Sequence, residues 1–212
     1  MADWLFPDGR LLLFARAPVR GRVKTRLQST WGRRGALRIY QQLFRQTLGV
    51  AVASRVAPVE IWCAPGCGHP WVRARAREAE ARLRAQPAGG LGERMQGAFR
   101  ETLRRAPYAV IVGADCAALG PGAIRAAFER LAAGDDAVFV PAHDGGYALI
   151  GLRAVDPALF TNVPWGSSAV MGETNRRLRR LGWRSTRLAP VSDVDHPADV
   201  HHLRQAGVLR MW

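Results

Sequence analysis

Short unbroken apolar runs alternate along the chain with longer stretches in which apolar residues return every three or four positions. Arg10 to Ala15 (RLLLFA), Val59 to Ala64 (VEIWCA), Tyr108 to Gly113 (YAVIVG), Ala137 to Pro141 (AVFVP) and Tyr147 to Leu152 (YALIGL) are runs of the first kind. Each reads as a strand covered on both faces. Gly35 to Ala53 is of the second kind, with Leu37, Tyr40, Leu43, Phe44, Leu48 and Ala51 at helical spacing. Trp71 to Gln86 reads as a helix too, with Glu78/Arg82 and Glu80/Arg84 at i,i+4 on a solvated face. Further helices are predicted over Gly92 to Arg105, Pro121 to Ala133, Ser167 to Leu181 and Pro197 to Ala206, and an edge strand over Ser185 to Leu188. Strand following helix from end to end, with no linker and no repeat, predicts one α/β domain over residues 1–212: a three-layer α/β/α arrangement around a mostly parallel sheet.

Composition narrows the classes. Of 212 residues, 48% are hydrophobic, while 22 glycines and 13 prolines are too few for a low-complexity or collagen-like chain. No apolar run approaches the ~20 residues of a bilayer span, and Asp3 and Asp8 sit where a signal peptide would be basic. Three cysteines are no disulfide scaffold and fit a reducing cytoplasm. The net charge of +14 comes almost wholly from arginine, because Lys24 is the one lysine among 31 basic residues. That skew, beside abundant alanine, is what a GC-rich genome writes over any exposed surface. The positive field still favours anionic ligands such as nucleotides.

In open α/β sheets, ligands bind beyond the carboxyl ends of the strands. Three polar clusters fall there. The loop after the first strand, FARAPVRGRVKTRL (Phe14 to Leu27), gathers Arg16, Arg20, Arg22, Lys24 and Arg26 around Gly21 and suits phosphates. It is neither a Walker loop, since Val23 stands before Lys24-Thr25, nor a dinucleotide fingerprint. Asp115 ends the Tyr108 strand with no basic residue within five positions, a hard oxygen ligand for Mg²⁺ or Mn²⁺, or else a turn cap. Asp144 precedes Gly145-Gly146, a sequence that permits close backbone approach to a ligand and equally makes a plain hairpin turn. Asp193 and Asp195 stand before the last helix, where capping and metal binding both use aspartate.

These segments, with GGLGERM (Gly89 to Met95), VGADCAAL (Val112 to Leu119), PAHDGGYALIGL (Pro141 to Leu152), VPWGSSAVM (Val163 to Met171) and DVDHPADV (Asp193 to Val200), occur in one order. In that order they resemble the bacterial DUF2064 family of GT-A-like transferases, also called selenodomain-associated transferases. The resemblance runs from Leu11 to Leu203 and implies a nucleotide-diphospho-sugar transferase fold, similar to sugar nucleotidyltransferases and to guanylyltransferases of cofactor biosynthesis. It implies that Ala15, Arg16, Ala17, Pro18, Gly21, Lys24 and Arg26 hold nucleotide phosphates and that Gly92, Glu93 and Arg94 lie near the base. It implies Asp115 and Asp195 as ligands of Mg²⁺ or Mn²⁺. Asp144, Gly145, Gly146, Tyr147 and Trp165 would border the acceptor pocket, with Asp144 and Lys24 as catalytic groups. This sequence departs from the family at Ala114 and Ala117, where Thr and Pro are usual, at Ala148 in place of a second tyrosine, and at His196 in place of threonine.

Two classes of function follow. One is a metal-dependent transferase taking a glycosyl group from a nucleotide-diphospho-sugar to a small-molecule acceptor, or else transferring a nucleotidyl group with release of pyrophosphate. The other is nucleic-acid binding through Arg33-Arg34, Arg104-Arg105, Arg176-Arg177 and Arg179-Arg180, which scatter over several helices without interleaved aromatics. Cys63, Cys67 and His69 lack a fourth zinc ligand nearby. Ser167 and Ser168 lack a nucleophile elbow and read as helix caps. His201-His202 reads as solvated.

Overall fold

The computed structural model describes residues 3–192, 194, 197–205 and 209, apart from the side chain of His202. Strands β1 (Arg10–Arg16), β2 (Val59–Ala64), β3 (Arg82–Ala85), β4 (Ala109–Gly113), β5 (Ala137–Pro141), β6 (Tyr147–Leu152) and β7 (Ser185–Arg187) form one sheet in the order β3-β2-β1-β4-β6-β5-β7. All pairings are parallel except those of β6, which runs antiparallel to β4 and β5. Helices α1 (Gln28–Ala53), α2 (Pro70–Glu78), α3 (Leu91–Thr102), α4 (Pro121–Ala132), α5 (Val170–Leu181) and α6 (Pro197–Gln205) complete the order. The fold is the α/β/α arrangement around a mostly parallel mixed sheet.

Successive strand residues point to opposite faces, which splits each apolar run between two cores. Leu11 and Leu13 pack with Phe44 of α1, Val72 of α2 and Phe128 of α4, while Leu12 packs with Trp62, Met95 and Phe99 of α3 and Leu178 of α5. A third cluster joins α6 to α1, where Val200 and Leu203 meet Ile39, Leu43 and Leu27, with Val194 and Ala117 beside them.

The largest departure from the sequence reading lies between Trp71 and Gln86. The helix stops at Glu78, and Arg82–Ala85 pairs in parallel with β2 as an edge strand. The expected pairs Glu78/Arg82 and Glu80/Arg84 are therefore not helix neighbours. Glu78 pairs instead with Arg75, and Arg84 reaches Glu60 of β2 at 3.0 Å and Glu101 of α3. The strand forms because β2 would otherwise present an unpaired edge, a tertiary demand that local spacing does not carry. Smaller shifts are an α1 that starts at Gln28, with a non-helical Gly32 inside it, and an α5 that starts at Val170.

The hydrogen-bonding direction sets the place of the site. Since β6 alone is reversed among the described strands, the ends of β1, β2, β4 and β5 and the start of β6 share one edge. The three polar clusters foreseen in the sequence meet there.

Candidate functional site

The loop after β1 is built to hold its shape. The Tyr40 hydroxyl donates to the Arg16 carbonyl at 2.8 Å and accepts from the Arg16 amide at 2.9 Å. Burial, then the Asp115 charge, push the Tyr40 phenol far above its ordinary pKa, so it stays neutral. From the other side, Gln86 donates through Nε2 to the carbonyls of Ala15 at 2.9 Å and Trp62 at 2.8 Å. Gly21 turns the loop at φ +81°, a conformation glycine adopts at little cost. Lys24 adopts a left-handed conformation too, at φ 42° and ψ 50°. For a residue with a side chain this is uncommon and costs energy, and such strain gathers at functional sites.

That conformation accompanies a contact: Lys24 Nζ lies 2.6 Å from Asp115 Oδ2, with the lysine side chain only 6% exposed and the aspartate 31%. The two residues the sequence assigned to phosphate and metal are thus each other's partners. Asp115 looked free of basic neighbours only along the chain.

On one side of this pair opens a crevice of about 500 Å³ lined by Arg16, Arg22, Lys24, Arg26 and Arg94 together with Ala15, Tyr40 and Gln86. Burial, then the neighbouring Arg16 charge, lower the Arg94 pKa from its ordinary value, the mark of cations crowded where an anion would relieve them. Ala17 lines the adjoining recess with Pro65 and Gly89, while Pro18 is buried and serves the loop's packing. Of the Gly92-Glu93-Arg94 run, Arg94 faces the crevice. Gly92 is buried where a Cβ would lie 2.5 Å from Trp165 Nε1 and 2.6 Å from the Phe160 carbonyl oxygen. Glu93 caps α3 by accepting from the Gly90 amide at 2.7 Å. Phe14, Leu91, Gly113 and Asp115 line both sides, and of these Leu91 is an exposed leucine that sequence reasoning passed over.

On the other side lies a cavity of about 230 Å³ between β4, β6, α3 and the start of α5. Of the residues expected at an acceptor pocket, Asp144, Gly146, Tyr147 and Trp165 line it and Gly145 does not, and Phe14, Met95, Ile111, Cys116 and Ile150 join them. Asp144 Oδ1 accepts from the Gly146 amide at 2.9 Å, so the Asp-Gly-Gly run is a hairpin turn and a cavity wall at once. Gly145 has φ +91°, and a Cβ there would lie 2.4 Å from the Ser168 backbone. Its carbonyl accepts from the Met171 amide at 2.9 Å, which seats the hairpin on the N-terminus of α5. Ser167 Oγ accepts from the Ala169 amide at 3.3 Å, a turn before α5.

Asp193 and Asp195 lie outside the described residues, and no group of three His, Cys, Asp or Glu among the described residues could hold a metal. The donor set nevertheless fits a divalent ion that arrives with its phosphates, since Mg²⁺ commonly takes one or two carboxylates and completes its shell with phosphate and water. Asp115 offers that carboxylate, at the price of its contact with Lys24. Cys63 is buried in β2, and burial, then the nearby Cys67, push its thiol up to about 12. It stays protonated rather than becoming a thiolate ligand.

Several arginines weighed for nucleic acid are engaged in the fold. Arg177 pairs with Glu173 and donates to the carbonyls of Ala158, Thr161 and Asn162, and Arg105 reaches Glu60 at 2.8 Å. The ring of exposed His201 lies 5.8 Å from that of Trp31. Among the described residues, no helix is long and apolar enough to cross a membrane.

A family model described as an uncharacterized protein conserved in bacteria, DUF2064, matches residues 47–167. The chain belongs to the DUF2064 family. This DUF2064 chain is similar to a solved structure from Desulfovibrio desulfuricans G20 provisionally assigned as a nucleotide-diphospho-sugar transferase, with 28% identity, 95% of this chain and 88% of that one covered, and a TM-score of 0.86. It shares its fold with CMP:2-keto-3-deoxy-manno-octonic acid synthetase complexed with CTP, at 14% identity, coverage of 94% and 98%, and TM-score 0.57. It also shares it with Rv0371c of Mycobacterium tuberculosis H37Rv in a manganese complex, at 14% identity, coverage of 94% and 99%, and TM-score 0.53. No curated protein matches the DUF2064 chain.

Proposed function

We propose that this chain is a nucleotide-using transferase of a single domain, which takes a glycosyl group from a nucleotide-diphospho-sugar to a small-molecule acceptor in the cytoplasm. The observation that carries the reading is the Lys24–Asp115 pair at the junction of a cationic crevice and a largely apolar cavity. It has further support in the sugar-nucleotide assignment of the Desulfovibrio relative and in the CTP and manganese bound by two proteins of the same fold.

In this reading the donor's diphosphate lies in the crevice among Arg16, Arg22, Lys24 and Arg26, and Arg94 sits toward the nucleoside. Asp115, with Asp195 as the expected second carboxylate, would hold Mg²⁺ or Mn²⁺. When bound, the ion would supply Lewis-acid stabilisation of the leaving diphosphate. Phosphate oxygens draw Lys24 Nζ away from Asp115, and the ammonium then faces the charge that builds as the sugar–oxygen bond breaks. The electron pair of that bond stays on the nucleoside diphosphate. An acceptor hydroxyl forms the new bond to the sugar carbon, and its proton passes to the Asp144 carboxylate at the cavity wall.

The deciding experiment follows products from a panel of sugar nucleotides and nucleoside triphosphates with Mn²⁺. Release of nucleoside diphosphate from a sugar nucleotide is the expected result. Pyrophosphate release from a triphosphate would replace glycosyl by nucleotidyl transfer, which the shared fold with a CTP-bound synthetase favours. Failure of every nucleotide to bind or turn over would overturn both.

A further inference from the structure

The cavity on the acceptor side is apolar through most of its depth. Phe14, Met95, Ile111, Tyr147, Ile150 and Trp165 form its walls. The walls are built from residues that serve the core: Met95 and Ile150 are 5% and 2% exposed and belong to the cluster between the sheet and helices α3 and α5. Tyr147 and Trp165 meet edge to face, with ring centroids 6.1 Å apart, and form an aromatic corner of the cavity. Carboxylates enter the lining only at Asp115 and Asp144 among the described residues, both at the carboxyl edge of the sheet.

A sugar acceptor buries several hydroxyls, and each needs a partner once water is gone. Walls of methionine, isoleucine and phenylalanine supply none, and besides the two carboxylates and the weak Cys116 thiol the side-chain partners are the Tyr147 and Ser167 hydroxyls and the Trp165 indole, too few for a carbohydrate. We infer that the acceptor of this protein is an apolar alcohol or phenol whose hydrocarbon body fills this cavity and whose single hydroxyl faces Asp144, rather than a carbohydrate. A cavity of about 150 Å³ lined by aliphatic and aromatic side chains takes a benzene ring. In proportion, 230 Å³ takes a body of about nine or ten carbons. The role as acceptor rests on the proposed transferase reading, whereas the preference of the cavity for an apolar body does not.

The test uses 2-naphthol as probe against methyl glucoside as polar control, on the full chain, by calorimetry and by the shift of the melting transition. Naphthol binds and stabilises, and the glucoside does neither at tenfold higher concentration. Ala148→Leu, which fills the cavity from β6, and Met95→Gln, which makes one wall polar at nearly constant volume, each weaken naphthol at least tenfold. Using two variants keeps the test decisive if one fails to fold. Equal binding of the glucoside, or naphthol affinity unchanged in a folded variant, overturns the proposal. Titrating CDP, GDP and UDP with Mn²⁺ separates the two readings. Naphthol binding without any nucleotide binding retains the apolar cavity and removes the transferase. Nucleotide binding without naphthol binding does the reverse. With both bound, naphthol accelerates nucleoside diphosphate release from the donor sugar nucleotide and the glucoside does not. Acceleration by the glucoside alone overturns the acceptor assignment.

Discussion

The crevice beside β1 is lined by four arginines and a lysine, whereas the cavity beside β6 is lined mostly by core side chains and is less than half as large. They share Phe14, Leu91, Gly113 and Asp115 as a common wall. The difference follows from how each side treats charge. Guanidinium groups cannot leave water without partners, so Arg16, Arg22 and Arg26 stay exposed, and the deeply placed Lys24 is paired with Asp115. The apolar side has no such requirement. A strand reversal produces the second environment: β6 comes back between β4 and β5 and brings Ala148 and Ile150 beside Ile111. One half gathers positive charge and the other presents mostly apolar walls.

The sharpest way to break this comparison is at the shared wall. Asp115→Asn keeps the shape and removes the charge. Metal-dependent nucleotide affinity should fall by more than about 100-fold, beyond what groups that merely orient a ligand contribute, while naphthol binding persists. Isothermal titration with and without Mn²⁺ reads both.

Next in size is Lys24. Lys24→Ala should lose a charge-assisted bond of roughly 1.5–3 kcal/mol, about 10- to 150-fold in nucleotide affinity. Lys24→Arg should also be impaired, because a wide planar fork does not replace a compact ammonium in a side chain only 6% exposed. Wild-type affinity in Lys24→Arg would reduce the lysine to its charge alone. In Lys24→Gln the ammonium no longer competes for Asp115, so Mn²⁺ without nucleotide should bind more tightly than in the parent, as seen by electron paramagnetic resonance.

Away from both pockets, buried Glu60 accepts from Trp62 Nε1 at 3.1 Å and pairs with Arg84 and Arg105 at 3.0 and 2.8 Å. Glu60→Ala should cost roughly 1.5–3 kcal/mol of folding stability with nucleotide affinity unchanged, measured by denaturant melts beside titration. Gly145→Ala strikes the apolar side: its φ of +91° and the Ser168 backbone in the way should cost roughly 1–3 kcal/mol and weaken naphthol, leaving nucleotide affinity intact.

The smallest effect is on acid stability. Burial raises the Asp135 pKa, but hydrogen bonds from Thr186 and Arg130, with the charges of Arg130 and Arg184, outweigh it and hold the carboxyl below its ordinary range. A depressed folded pKa gives stability that is full above about pH 4, the unfolded value, and is lost as pH falls through the folded one. Asp135→Asn should melt lower at pH 7 and show a shallower decline below pH 4, compared by thermal melts across pH.

Sequence alone determined the five central strands, because runs such as YAVIVG are apolar without interruption and can only be covered on both faces. It also determined that Asp115, Asp144 and the arginine-rich loop stand at strand ends, since the run-and-loop punctuation is local. Tertiary structure decided the rest. β3 is short, polar and arginine-rich, so its strand character comes from the unpaired edge of β2 rather than from its own residues. Gln86, within that same misread segment, ties β1 to β2 at the mouth of the crevice. Leu91 and Met95 look like ordinary helix-face residues until β6 is folded in beside β4. The meaning of the lone lysine was half legible: composition marked Lys24 as unusual, but that its ammonium meets Asp115 depends on β1 and β4 lying side by side. Strand order is set by packing between distant parts of the chain, and no window of local sequence contains it.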